Sequence, residues 1–203
     1  MQTDPASYRP LGVHGARVTD DFTDLAAALR DELLSFRDWK EMSTNAGVDF
    51  ARQTGITTGG IGDGGNSGLV RCVDFLVSLR QHATALHELV GGQIRNQLQV
   101  IMNGMAYGEG GWLKEHTDAP PDGTERVSWI LYLTDPGDGE WSEDDGGALR
   151  LRDEAGGSAR VFPKFNRFAA FRNGDDSHHE VQPVRRKTTW PTCRLALSGW
   201  MVS

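Results

Sequence analysis

A chain of 203 residues is long enough for one domain with a full hydrophobic core, and residues 1–203 are expected to form a single one. With 28 acidic against 21 basic residues, a formal net charge of -7 and no basic cluster, the composition argues against a nucleic-acid partner and a polybasic membrane contact. Two distant cysteines, Cys72 and Cys193, exclude a zinc cysteine cluster and argue against a disulfide scaffold. Polar first residues and the lack of any long apolar run give the expectation of a soluble, cytoplasmic protein.

Residues 1–20 show no period and are expected to be an irregular arm or an edge strand. A helical part follows, spanning about 20–92. Leu25, Leu29, Leu33 and Leu34 recur at helical spacing, with Thr23 or Asp21 as the expected cap and an end near Phe36 to Trp39. The glycine-rich stretch 55–68 contains Gly60, Gly62 and Gly65 in the order of a dinucleotide fingerprint. No apolar strand leads into it and no helix follows directly, so a flexible loop, able to act as a lid, is the expected structure. A second helix is expected from Asp74 to Val90, carrying Leu76, Leu79, Leu86 and Leu89. On it His82 and His87 read as surface or boundary residues, and Gly91-Gly92 ends it.

From about residue 96 the period becomes that of a strand. Short β runs are expected from Asn96 to Tyr107, around 112–116, and at Arg126–Leu133, Ala148–Arg152, Ala159–Pro163, Arg167–Arg172, Glu180–Val184 and Arg194–Val202, separated by Gly, Asp and Pro turns. Helices followed by about eight short strands predict an α+β chain. Its β half, about 96–203, would be a two-sheet jelly-roll barrel, a double-stranded β-helix with the N-terminal helices on one sheet.

The chemistry gathers at His116-Thr117-Asp118. On an extended chain residues i and i+2 face the same way, so an imidazole and a carboxylate can approach one metal ion. A third ligand is available in His178 or His179, and two histidines with one carboxylate make the facial triad of non-haem iron(II) oxygenases. Strand parity adds a second group. Val127, Trp129, Leu131 and Leu133 form an apolar face suited to burial under helices, and Ser128, Ile130 and Tyr132 form a face suited to a barrel mouth. On the last strand Arg194, Ala196, Ser198 and Trp200 share a face, and an inward Arg needs an anionic partner.

With these residues in view, Tyr107 to Trp200 resembles the catalytic barrel of the 2-oxoglutarate- and iron(II)-dependent oxygenases, in particular the prolyl 4-hydroxylase type that includes the oxygen-sensing prolyl hydroxylases and bacterial relatives. His116, Asp118, a distal His and Arg194 follow the family order, and the run His179-Glu-Val-Gln-Pro183 selects His179 as the third ligand. The resemblance implies that Arg194 and Tyr132, fourteen residues beyond Asp118, bind the C5 carboxylate of 2-oxoglutarate. It also implies that Tyr107 lines that pocket, and that Ser198 and Trp200, with Ser128, stand around it. Asp145-Gly-Gly-Ala-Leu149 and Pro163-Lys-Phe-Asn-Arg-Phe168 resemble the family's mid-barrel hairpin and next strand. The spacer from His179 to Arg194, within Arg185 to Cys193, is longer than in the oxygen sensors. The implied cofactors are Fe(II), 2-oxoglutarate and O2, with ascorbate in support. The implied activity is hydroxylation of an unactivated C–H bond in an amino acid, a peptide or a protein prolyl residue, with release of succinate and CO2. Desaturation or ring closure by the same chemistry, and a non-catalytic barrel that binds a small acid or a partner protein, are the alternatives.

Overall fold

A computed structural model describes residues 1–42, 55–62, 66, 68–119 and 124–203. In chain order these form β1 (Arg9–Pro10), β2 (Arg17–Thr19), α1 (Ala26–Ser35), β3 (Lys40–Glu41), β4 (Ile56–Gly60), α2 (Val70–Leu89), β5 (Gln99–Tyr107), β6 (Leu113–His116), β7 (Arg126–Tyr132), β8 (Leu149–Arg152), β9 (Ser158–Val161), β10 (Phe168–Asn173), β11 (His178–Val181) and β12 (Arg194–Val202). Eight strands make a major sheet in the order β1-β2-β10-β7-β12-β5-β4-β3, and four make a minor sheet in the order β6-β11-β8-β9. Every described pairing is antiparallel. The expected α+β jelly roll, with helices on one sheet, is the observed architecture.

Alternation along the strands builds two cores. Val127, Trp129 and Leu131 of β7, Leu195, Leu197 and Met201 of β12, and Phe168 and Ala170 of β10 face the helices. There they meet Leu29 and Leu33 of α1 and Phe75, Leu76 and Leu79 of α2. The opposite faces, with Tyr132, Ala169, Phe171 and Ala196, pack against Leu149, Leu151 and Val161 of the minor sheet. Burying one such large apolar side chain is worth about 1.5–3 kcal/mol, so both layers contribute to holding the barrel. Gly199 lets β12 and β5 approach closely, because a Cβ there would lie 1.9 Å from the Ile101 carbonyl oxygen.

Four expectations need correction. The glycine-rich stretch is not a loop at 56–60: it is β4, paired with β5 through a register shift between Thr57 and Gly59. Gly59, at φ 70°, supplies the left-handed residue at this irregularity, and Thr58 Oγ1 accepts the Gly104 N–H at 2.8 Å. Gly65 and its neighbours 63, 64 and 67 lie outside the described residues. Neither Thr23 nor Asp21 is the cap of α1: Leu25 holds that position without a side-chain bond, and Asp21 has φ 55°. The N-terminus of α2 begins at Val70, earlier than expected, because Glu32 of α1 accepts the N–H groups of Arg71 and Cys72 at 2.9 and 2.8 Å. Finally, His87 is not a surface histidine; it is fully buried in the underside of α2.

The N-terminal arm forms β1 and β2 at the sheet edge, and an ion network centred on the buried Arg167 helps to fix it there. Arg167, 6% exposed in its side chain, donates to Asp20 at 2.7 Å and to Glu140 at 2.7 Å. The spacer after His179 packs on α1. Trp190 Nε1 donates to Leu34 O at 3.0 Å, and Arg30 donates to Pro191 O at 2.6 Å. Both cysteines are free and buried. Among the described residues no helix is long and apolar enough to cross a membrane.

Candidate metal centre and cosubstrate pocket

His116 ends β6, Asp118 follows it, and His179 lies on β11. The register His179↔His116 sets the two imidazoles side by side, with ring centroids 4.2 Å apart. His116 Nε2 lies 3.5 Å from Asp118 Oδ1, and His179 Nε2 lies 3.4 Å from Asp118 Oδ2. One ligand atom from each of the three lies within 4.8 Å of the others. His178 alternates with His179 along β11 and is half-buried, opposite Arg152, on the other face.

The imidazoles are oriented for ligation. His116 Nδ1 lies 2.8 Å from the Lys114 carbonyl oxygen, and His179 Nδ1 lies 3.2 Å from that of Ser177. A carbonyl only accepts, so each Nδ1 carries a proton, and in the neutral ring Nε2 is left with the lone pair a metal would take. Burial and the neighbouring His179 push the His116 pKa down, which favours the neutral imidazole a metal needs. Around Asp118, burial opposes ionisation. When the two rings carry an extra proton, the hydrogen bond and charge of His179, the charge of His116 and the bond from Trp200 outweigh it, and they hold the carboxyl well below its ordinary range.

Donors converge on one carboxylate oxygen. Trp200 Nε1 donates to Asp118 Oδ2 at 2.7 Å, and Ser128 Oγ donates to the same oxygen at 3.3 Å. Asn173 Nδ2 donates in turn to Ser128 Oγ at 2.9 Å. Trp200 stands opposite Ser128 across the β12–β7 ladder, on the barrel-facing side of the sheet. Two imidazole nitrogens and one ionised carboxylate, sheltered and pre-oriented, fit a divalent first-row metal.

Further into the barrel, Arg194 opposes Tyr107 across the β12–β5 ladder. Arg194 is 3% exposed, and its guanidinium carbon lies 5.3 Å from the Tyr107 ring and 5.0 Å from the Tyr132 ring. Its Nε donates to Gly147 O at 2.6 Å, and one terminal nitrogen donates to the Tyr132 hydroxyl at 3.4 Å. No carboxylate among the described residues forms an ion pair with it. Tyr132 is fully buried rather than at the barrel mouth, and its hydroxyl donates to Val161 O at 3.4 Å. Burial raises both phenol pKa values against the pull of Arg194, that of Tyr107 to about 12, so both remain donors at neutral pH. Ser198 lies on the Arg194 face of β12, opposite Ile130 and Asn103. The structure brings His116, Asp118, His179, Ser128 and Trp200 together, and Arg194 with Tyr132 and Tyr107, while Ser198 only shares the Arg194 face of β12. Asn173 and the Gly147 carbonyl were not singled out. For Asn173 the signal was strand parity with Phe171; a backbone carbonyl leaves none.

The family model of the 2OG-Fe(II) oxygenase superfamily matches residues 102–202. The prolyl 3-hydroxylase sudestada1 of Drosophila melanogaster is 34% identical over 103 residues, which cover 45% of this chain but 18% of that protein. A crystal structure of a Pseudomonas putida prolyl-4-hydroxylase superposes with a TM-score of 0.70 at 26% identity, covering 98% of this chain and 97% of that one. A Trichoplax adhaerens prolyl hydroxylase, solved with a hypoxia-inducible-factor oxygen degradation domain peptide, has the same fold. Its TM-score is 0.68 at 17% identity, covering 95% of this chain and 85% of that one. Residues 102–202 carry a domain of the 2OG-Fe(II) oxygenase superfamily, whose members are dioxygenases that use iron(II), 2-oxoglutarate and O2.

Proposed function

We propose that this chain hydroxylates a prolyl residue in a peptide or protein. The observation that carries the reading is the similarity to the Pseudomonas putida prolyl-4-hydroxylase along nearly the whole chain. The shorter match to a Drosophila prolyl 3-hydroxylase supports the same residue type. On this reading residues 1–203 act as one domain.

In the proposed assignment, His116, Asp118 and His179 hold iron(II), which when bound with 2-oxoglutarate supplies O2 activation for C–H oxidation, releasing succinate and CO2. Their two neutral imidazoles and one carboxylate suit that ion. Arg194 grips the C5 carboxylate of 2-oxoglutarate, because a planar guanidinium matches a carboxylate with paired donors. Tyr132 adds a hydroxyl donor to the same end. Tyr107 packs against the guanidinium, walls the pocket and keeps water from it. Trp200 and Ser128 hold Asp118 by its Oδ2, and Ser198 lines the barrel face between the two subsites. A free amino acid has no chain on either side of the oxidised residue, whereas a prolyl peptide does.

The test is succinate formation by the iron-loaded protein with a panel of proline-containing peptides, with free proline alongside. A peptide recovered one oxygen atom heavier at proline is the expected result. Turnover stimulated only by free amino acids, or oxidation at a residue other than proline, would overturn the prolyl assignment.

A further inference from the structure

We infer that Asn173 is a positioning residue of the metal centre, acting through Ser128 on the carboxylate of Asp118; the inference rests on the proposed ligand set. Asn173 and Ser128 sit diagonally across the β10–β7 ladder. Asn173 opposes Arg126 and Phe171 opposes Ser128, so all four side chains share the barrel face. Asn173 is 6% exposed, and so is Ser128. Water therefore offers little competition for the bonds between them.

The polarity of this chain of bonds is fixed from one end. Ionised Asp118 can only accept, so the single Ser128 hydroxyl proton is committed to Asp118 Oδ2. Ser128 Oγ is then open to accept on its other side, where among the described residues the amide nitrogen of Asn173 donates at 2.9 Å. An Asp at 173 would have no proton to give and would add a second negative charge beside the first. The order amide, hydroxyl, carboxylate, together with Trp200 on the same Oδ2, occupies that oxygen with donors. Oδ1, which lies 3.5 Å from His116 Nε2, would be the oxygen offered to a bound metal.

The turn that follows Asn173 extends the argument. Gly174 N–H donates to Ser177 Oγ at 2.7 Å, and Ser177 N–H donates to Gly174 O at 3.0 Å, closing residues 174–177 on themselves. The carbonyl of Ser177 then receives Nδ1 of His179. One short segment thus orients the carboxylate ligand from its first residue and an imidazole ligand from its last. Partners of this kind commonly change metal affinity by about tenfold to a hundredfold when removed.

Manganese(II) binding, measured by calorimetry on the full chain without 2-oxoglutarate, tests the inference independently of turnover. Asn173→Ala and Ser128→Ala should each weaken binding by about tenfold. Because Asn173 works through Ser128, the double variant should be no weaker than Ser128→Ala alone. Asn173→Asp should be weaker than Asn173→Ala. Thermal melts of the metal-free proteins separate a folding defect from a metal defect. Parent-like affinity in Asn173→Ala, or additive losses in the double variant, would overturn the positioning role. A parent chain that binds no manganese would overturn the ligand set itself, and the positioning role with it.

Discussion

Arg194 and Tyr132 meet inside the barrel, and among the described residues no acid pairs with the guanidinium. The guanidinium donates to the phenol oxygen at 3.4 Å while its carbon lies 5.0 Å from the ring. A buried cation whose described partners are a hydroxyl and the Gly147 carbonyl is prepared for an anion rather than neutralised by one. Charge-assisted hydrogen bonds are worth about 1.5–3 kcal/mol each. Arg194→Ala should therefore weaken 2-oxoglutarate binding by roughly tenfold to a hundredfold, at about 1.4 kcal/mol per decade. Arg194→Lys should recover only part of it, since an ammonium has no paired fork. Tyr132→Phe should cost less than Arg194→Ala, and manganese(II) affinity should survive each change. Anaerobic titration of 2-oxoglutarate into the metal-loaded variants checks the order.

His178 and His179 are adjacent and chemically identical, yet only one ring faces Asp118. His179→Ala should abolish metal-dependent succinate formation. His178→Ala, on the opposite face of β11, should keep a good part of it. Equal loss in both variants, with both folded, would contradict the ligand assignment.

Glu32 caps the helix next to its own. Its carboxylate bonds the Arg71 and Cys72 N–H groups at the start of α2, where Leu69 offers no side-chain cap. Loss of such a cap costs about 0.5–2 kcal/mol. Glu32→Ala should lower the urea midpoint accordingly, and Glu32→Gln should fall between because it keeps an acceptor but loses the charge. Succinate formation at a temperature where all are folded should be unchanged.

The legible parts of this chain were those written by strict alternation. Val127 to Leu133 and Arg194 to Met201 each showed one apolar face and one functional face, and those faces are the two sides of the observed sheet. The proposed metal ligands were legible from the His116-Thr-Asp118 spacing, and the run His179-Glu-Val-Gln-Pro183 selected His179 over His178 through the resemblance. What stayed hidden depended on distant partners. Ile56 to Thr58 are β-branched, but Gly59 and Gly60 break the run, and the strand is completed by pairing with β3 and β5, with Thr58 bonding Gly104. The start of α2 was hidden because its cap comes from α1. His87 looked like a surface residue because a polar side chain at a helix C-terminus is usually one.

That buried histidine gives a test of stability against pH. Burial holds the His87 pKa below 6.5, against the Gly92 backbone and the charges of Glu125 and Glu88, which pull it up. In the unfolded chain the same ring regains its ordinary value near 6.5. Between the two values the unfolded state binds more protons, so stability rises with pH there. The contribution is fully present above the unfolded value and is lost as pH falls towards the folded one. His87→Leu removes the titrating group while keeping an apolar occupant under α2. Urea denaturation of parent and variant between about pH 5 and 8 should show the variant gaining on the parent as the pH falls. His116 also has a lowered pKa, but it titrates in both proteins, so the difference isolates His87. A constant gap between the two across that range would mean that His87 does not pick up a proton on unfolding.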